Sequence, residues 1–121
     1  MEKFFSLGLK HIFICSFESN KKISLLNNKL IKIGYKLVSC FHPSAIISPS
    51  SSIGHSTIIL PNSVIGPYVK IGNNCKILNK VSIAHHSSIS DNVTIADGTT
   101  IGGNVIINQE AYLTPQPVVM S

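Results

Sequence analysis

Residues 45–113 read AIISPSSSIGHSTIILPNSVIGPYVKIGNNCKILNKVSIAHHSSISDNVTIADGTTIGGNVIINQEAYL. Isoleucine returns at every sixth position, as Ile47, Ile53, Ile59, Ile65, Ile71, Ile77, Ile83, Ile89, Ile95, Ile101 and Ile107, and Leu113 closes the series. Two residues before each stands a compact side chain: Ala45, Ser51, Thr57, Ser63, Val69, Cys75, Val81, Ser87, Val93, Thr99, Val105 and Ala111. Two columns locked in phase over this length mark a solenoid of short repeats. A period of six is neither the 3.6 of a helix nor a plain strand alternation. It suits a triangular coil in which each hexapeptide makes one short strand and one turn, so that three hexapeptides close a coil of eighteen residues. The isoleucine fills the prism, and the compact residue points inward near the corner, where a bulky side chain would not fit. Successive coils stack at the sheet spacing of about 4.8 Å. Gly54, Gly66, Gly72 and Gly102 directly follow their isoleucines, and the bends are expected there, because glycine takes unusual backbone angles at little cost. The expected architecture is a mainly β, parallel β-helix of about four coils over residues 42–121.

Outside the ladder the texture changes. Residues 1–41 read as a partial βαβ unit. His11–Cys15 (HIFIC) is a short apolar strand, and Leu37–Phe41 (LVSCF) a second. Between them Ile23, Leu25, Leu26, Leu30 and Ile33 suit one face of a helix, with Ser19 or Asn20 as cap and Gly34 as stop. This unit can cover the N-terminal end of the solenoid, whose open edges need a cap. At the other end, Pro115 and Pro117 are expected to stop further ladder bonds.

Composition narrows the partners. Only 12% of residues are charged, and Trp is absent. The net charge of +5 comes from lysine alone, and it is concentrated before residue 41. Nucleic-acid surfaces mix arginine and aromatics with lysine. That mixture is missing, so the excess reads as a solvated helix face and no nucleic-acid partner is expected. Phe4–Phe17 is apolar but broken by Lys10 and His11, with no small-residue cleavage site after it. It reads as a buried strand region rather than a signal peptide. No run is long enough to span a bilayer, and no membrane partner is expected. Cys15, Cys40 and Cys75 form an odd set without metal spacing, which fits a reducing, cytoplasmic setting.

Within the ladder, Phe41-His42-Pro43-Ser44-Ala45 resembles the junction that opens the β-helix in one branch of the left-handed β-helix acyltransferases. Ser82-Ile83-Ala84-His85, with Asp91-Asn92-Val93, Gly98 and Gly103-Asn104-Val105, resembles that branch's catalytic coil, and Gly34-Tyr35-Lys36-Leu37-Val38 the end of its nucleotide-sugar domain. The branch is the sialic acid O-acetyltransferase and UDP-amino-sugar (bacillosamine-type) N-acetyltransferase family. The left hand of the helix comes from this resemblance. So do the implied acetyl-CoA co-substrate, the sugar acceptor, the homotrimer and the site in a groove between subunits. By the same resemblance His85 is the general base, Gly103 the oxyanion donor one coil later, and Thr94 the residue facing the cofactor. His86, expected on the other side of the strand from His85, reads as a substrate contact or equally as a solvent or subunit-interface residue. No metal is expected.

The sequence departs from that pattern at named places. Ala84 and His86 stand where an acidic residue flanks the catalytic histidine, Thr94 where a second histidine is common, and Leu78 where an asparagine is frequent. The chain also reads as shortened at both ends relative to the family. Two other readings follow: a catalytically degenerate trimeric scaffold, and a zinc protein of the γ-carbonic-anhydrase kind, which needs three converging histidines. His42 reads as a junction residue, His55 as a turn residue, and Lys76 and Lys80 as exposed side chains.

Overall fold

The computed structural model describes residues 10–14, 20–115 and 117–120. Each hexapeptide folds into a two-residue strand, and the strands stack into three parallel faces. Face one holds Cys40–Phe41, Ile58–Ile59, Lys76–Ile77, Thr94–Ile95 and Tyr112–Leu113. Face two holds Ile46–Ile47, Val64–Ile65, Ser82–Ile83, Thr100–Ile101 and Val118–Val119. Face three holds Ser52–Ile53, Lys70–Ile71, Ser88–Ile89 and Ile106–Ile107. Every pairing joins residues eighteen apart, as in Ile59 with Ile77, Ile77 with Ile95, and Ile83 with Ile101. The expected parallel β-solenoid of about four coils is therefore the fold.

The core is the one the ladder specifies. Ile59, Ile65, Ile77, Ile83, Ile95 and Ile101 are fully buried, and Val69, Cys75, Val81 and Val93 of the compact column join them. Hydroxyls in that column are buried too: Thr99 Oγ1 donates to Ala96 O in its own turn (2.8 Å), while Ser63, Ser87 and Thr57 are satisfied by the next coil. Ser63 Oγ donates to Leu78 O (2.6 Å) and accepts from Val81 N (3.1 Å). Ser87 Oγ repeats the pattern with Gly102 O (2.7 Å) and Val105 N (3.1 Å), and Thr57 Oγ1 with Gly72 O (2.9 Å) and Cys75 N (3.1 Å). The column thus tolerates small polar residues because they stitch coils together. Cys75 is an inert member of this core: burial pushes its thiol above its usual range, and the nearby Asp91 carboxylate adds to the rise.

The bends do not fall on the glycines after isoleucine. They fall three residues after each isoleucine from Ile53 onward, where Ser56, Asn62, Tyr68, Asn74, Lys80, His86, Asn92, Gly98, Asn104 and Glu110 all have φ between 57° and 74°. Asparagine is frequent there because it tolerates the left-handed region. The glycines answer a different demand, close approach between coils. A Cβ on Gly54 would strike Asn73 Oδ1, and one on Gly72 would strike Asp91 Oδ1.

Strands His11–Ile12 and Lys36–Leu37 pair in parallel beside helix α1, Asn20–Ile33. Cys15 and Ser19 lie outside the described residues. The helix buries Ile23, Asn27 and Leu30, whereas Leu25 and Leu26 are exposed. The stripe is narrower than the run of apolar residues suggests, and a polar residue completes it. Gly34, at φ 116°, ends the helix as expected, and the Gly34 and Tyr35 amides both donate to Leu30 O (3.2 and 3.0 Å). Two boundaries shift. Cys40–Phe41 belongs to the solenoid, pairing with Ile58–Ile59, and not to the βαβ unit. At the far end Pro117 does not stop the ladder: its carbonyl accepts from Thr100 N (3.0 Å), and Val118–Val119 pairs with Thr100–Ile101. Proline lacks a donor but keeps its acceptor.

Two isoleucines of the ladder region test this core. Ile77 is 0% exposed and Ile106 is 72% exposed. Ile77→Ala is expected to lower the free energy of unfolding by about 3 kcal/mol in a denaturant titration, and Ile106→Ala by no more than about 0.5 kcal/mol. Equal losses would contradict the inward assignment.

Candidate active site

His85 lies at the corner between faces two and three, two residues after Ile83. Elsewhere this slot has a structural duty. Asn73, Asp91 and Asp97 each turn a side-chain oxygen onto the backbone N–H one coil below, at His55 (2.9 Å), Asn73 (2.8 Å) and Asn79 (3.0 Å). Below His85 is Pro67, which has no N–H to offer. The imidazole is therefore not drawn into the ladder, and it stays exposed.

The coil above meets this ring directly. A Cβ built on Gly103 would stand 2.5 Å from His85 Nε2 and 2.7 Å from Cε1. Position 103 is glycine because the ring occupies the space, not because the backbone is left-handed. Asn104 N donates to His85 O (3.0 Å), and His86 N donates to Pro67 O (3.0 Å), so the turn is tied to the coils on both sides. Among the described residues, nothing accepts a hydrogen bond from Gly103 N–H. The eighteen-residue register thus brings His85 and Gly103 together as expected.

His86 departs from expectation. It does not face away from His85, because the pair sits in a turn, where strand alternation does not apply. With φ at 59°, His86 turns back so that its Nδ1 is 3.1 Å from His85 Nδ1. The two rings meet edge to face at 5.3 Å and 83°. Tyr68 stacks beneath His86, with centroids 5.1 Å apart and an interplanar angle of 26°. Sequence reasoning missed Tyr68, although the signal was present: it stands eighteen residues before His86.

Thr94 is not brought to this cluster. It lies on face one between Lys76 and Tyr112, and face one is opposite the corner that carries His85. Two further histidines serve local turns: His42 Nδ1 bonds Ser44 Oγ (2.8 Å) and His55 Nδ1 bonds Ser56 Oγ (3.1 Å). Lys76, expected to be exposed, is only 4% exposed, while Lys80 occupies a corner at φ 57°. Among the described residues, no three His, Cys, Asp or Glu side chains gather as metal ligands, and no helix is long and apolar enough to cross a membrane.

The arrangement has the parts that an acyl-transfer step uses. It offers an exposed imidazole with one nitrogen bonded to a neighbour, and with the other nitrogen against Gly103 of the next coil.

No curated protein matches the chain. Among solved structures, the chain is similar to the H141A mutant of GDP-perosamine N-acetyl transferase from Caulobacter crescentus, in complex with CoA and GDP-perosamine. Identity is 18%, with 99% of this chain and 70% of that one covered, at a TM-score of 0.42. It is also similar to the acetyltransferase domain of PglB from Neisseria gonorrhoeae FA1090 in complex with acetyl coenzyme A. There identity is 21% over 84% of this chain and 53% of that one, with a TM-score of 0.42. A family model described as the GMPPB C-terminal domain matches residues 38–120, the whole ladder with its junction. The chain belongs to the family of the GMPPB C-terminal domain.

Proposed function

We propose that the protein transfers acetyl from acetyl-CoA to an amine or hydroxyl of a sugar, with a nucleotide sugar as the favoured acceptor. The observation that carries this reading is the seat of the His85 ring against Gly103, one coil above, at an exposed corner where the ladder makes no demand on it. His85 Nε2 takes the proton of the acceptor as its nitrogen or oxygen attacks the thioester carbonyl. The tetrahedral oxyanion meets Gly103 N–H. Collapse breaks the C–S bond, and the thiolate recovers the proton from the imidazolium. No net proton remains on the protein.

The place of Thr94 bears on assembly. One subunit presents His85 at the corner between faces two and three, and Thr94 on the opposite face. A cofactor that touches both must lie between copies, so we read the active form as a homotrimer with a shared groove. The odd cysteine set supports a reducing, cytoplasmic setting for this chemistry.

Two observations favour a second reading. The matching family is described as a C-terminal domain, and Ala84 and His86 leave His85 without a flanking carboxylate. A non-catalytic β-helix scaffold answers to both. Saturable acetyl-CoA binding separates the two readings, since a scaffold has no use for it.

Two variants test the roles. With a panel of UDP-4-amino sugars and sialic acids, acetyl-CoA-dependent thiol release is expected from the wild type. In His85→Ala it is expected to fall by about a hundredfold or more. Full activity in that variant would remove His85 from the chemistry. Gly103→Ala is expected to keep the thermal midpoint within about 4 °C, yet to displace the His85 ring and cost at least about tenfold in turnover.

A further inference from the structure

We infer that His86 is a positioning residue that fixes the tautomer of His85, taking over by hydrogen bond a task commonly given to a carboxylate. The inference rests on the acyl-transfer reading for its purpose, but not for its geometry.

The two Nδ1 atoms lie 3.1 Å apart. At that distance they share one hydrogen, and in a neutral pair only one of them carries it. Two arrangements are open. If His85 Nδ1–H donates, His86 Nδ1 accepts, and His85 Nε2 keeps its lone pair beside Gly103. If His86 donates, His85 carries its hydrogen on Nε2 and has no lone pair there to take a proton. The first arrangement is the one assigned: His86 Nδ1 accepts from His85 Nδ1–H, which leaves the His85 Nε2 lone pair free for the acceptor's proton. The Nε2–H of exposed His86 then points to solvent.

His86 is held for this task from two sides. The corner conformation at φ 59° folds its side chain back toward His85, and Tyr68 stacks beneath the ring at 5.1 Å. When His85 Nε2 takes the acceptor's proton, its Nδ1–H stays in place and His86 stays neutral. His86 orients the base and bonds the imidazolium without receiving a proton. A neutral acceptor does this more weakly than a carboxylate, and the nitrogen responsible for catalysis is the same.

The corner conformation also chooses the variants. Asparagine and glycine both tolerate φ near 59°, so His86→Asn keeps an oxygen acceptor, and His86→Gly removes it, at little backbone cost. The experiment reads the ring nitrogens of His85 by 15N NMR in neutral protein. The Nδ1–H form is expected to dominate in the wild type and in His86→Asn. In His86→Gly the Nε2–H form is expected to take over. In parallel, kcat is expected to fall about tenfold or more in His86→Gly and to recover to within about threefold in His86→Asn, with KM for acetyl-CoA little changed. An unchanged His85 tautomer in His86→Gly, or no recovery of the Nδ1–H form in His86→Asn, overturns the inference. If the tautomer responds as expected while the wild type transfers no acetyl group, the positioning contact stands and the acyl-transfer reading fails.

Discussion

The structure depends on one constraint: each strand must pair in parallel, in register, with the strand eighteen residues on. A two-residue strand has almost no stability of its own. It is held only because its backbone bonds a coil below and a coil above, and because its single isoleucine joins a continuous column. A slip of one residue would turn that column outward. The register is therefore rigid, and it turns sequence separation into spatial adjacency. Residues eighteen apart become neighbours whether or not they serve the fold.

That conversion explains how the site is built without a loop or an inserted domain. At three corners, the residue two after the isoleucine is spent on the ladder, as an amide or carboxylate on the N–H below. Pro67 removes that N–H beneath His85, and Gly103 clears the space above it. Tyr68, another residue of the same two corner levels, supports His86. Substitutions at fixed slots of the repeat thus give one corner an exposed, anchored imidazole, while the core beneath it is unchanged. The family of the GMPPB C-terminal domain covers this ladder, and the acyl-transfer proposal concerns what a few of its corner residues add.

The legible part of the sequence was the part governed by periodicity. The isoleucine column and the compact column both appear in the core, and the adjacency of His85 and Gly103 follows from counting to eighteen. What was misread lay where a different rule applies. The glycines after isoleucine look like bends, yet the left-handed column falls two residues later, on asparagines and on His86 itself. Glycine is required there for contact between coils, which no local propensity reports. Strand alternation predicts His86 on the far side, but His86 sits in a turn, where alternation does not apply. In helix α1, Leu25 and Leu26 suggested a broad apolar stripe, whereas the contact face runs through Ile23, Asn27 and Leu30. Pro117 lacks a donor and so looks like a terminator, but its carbonyl still accepts from Thr100 N and the ladder continues.

The central claim is that the eighteen-residue register seats the His85 ring against Gly103. A nuclear Overhauser measurement in solution tests it most directly. Strong cross-peaks are predicted from the His85 ring protons to the Gly103 α-protons, across eighteen residues of sequence. A His85 ring that gives cross-peaks only to its own turn, or to a residue of another column, would contradict the register and with it the site.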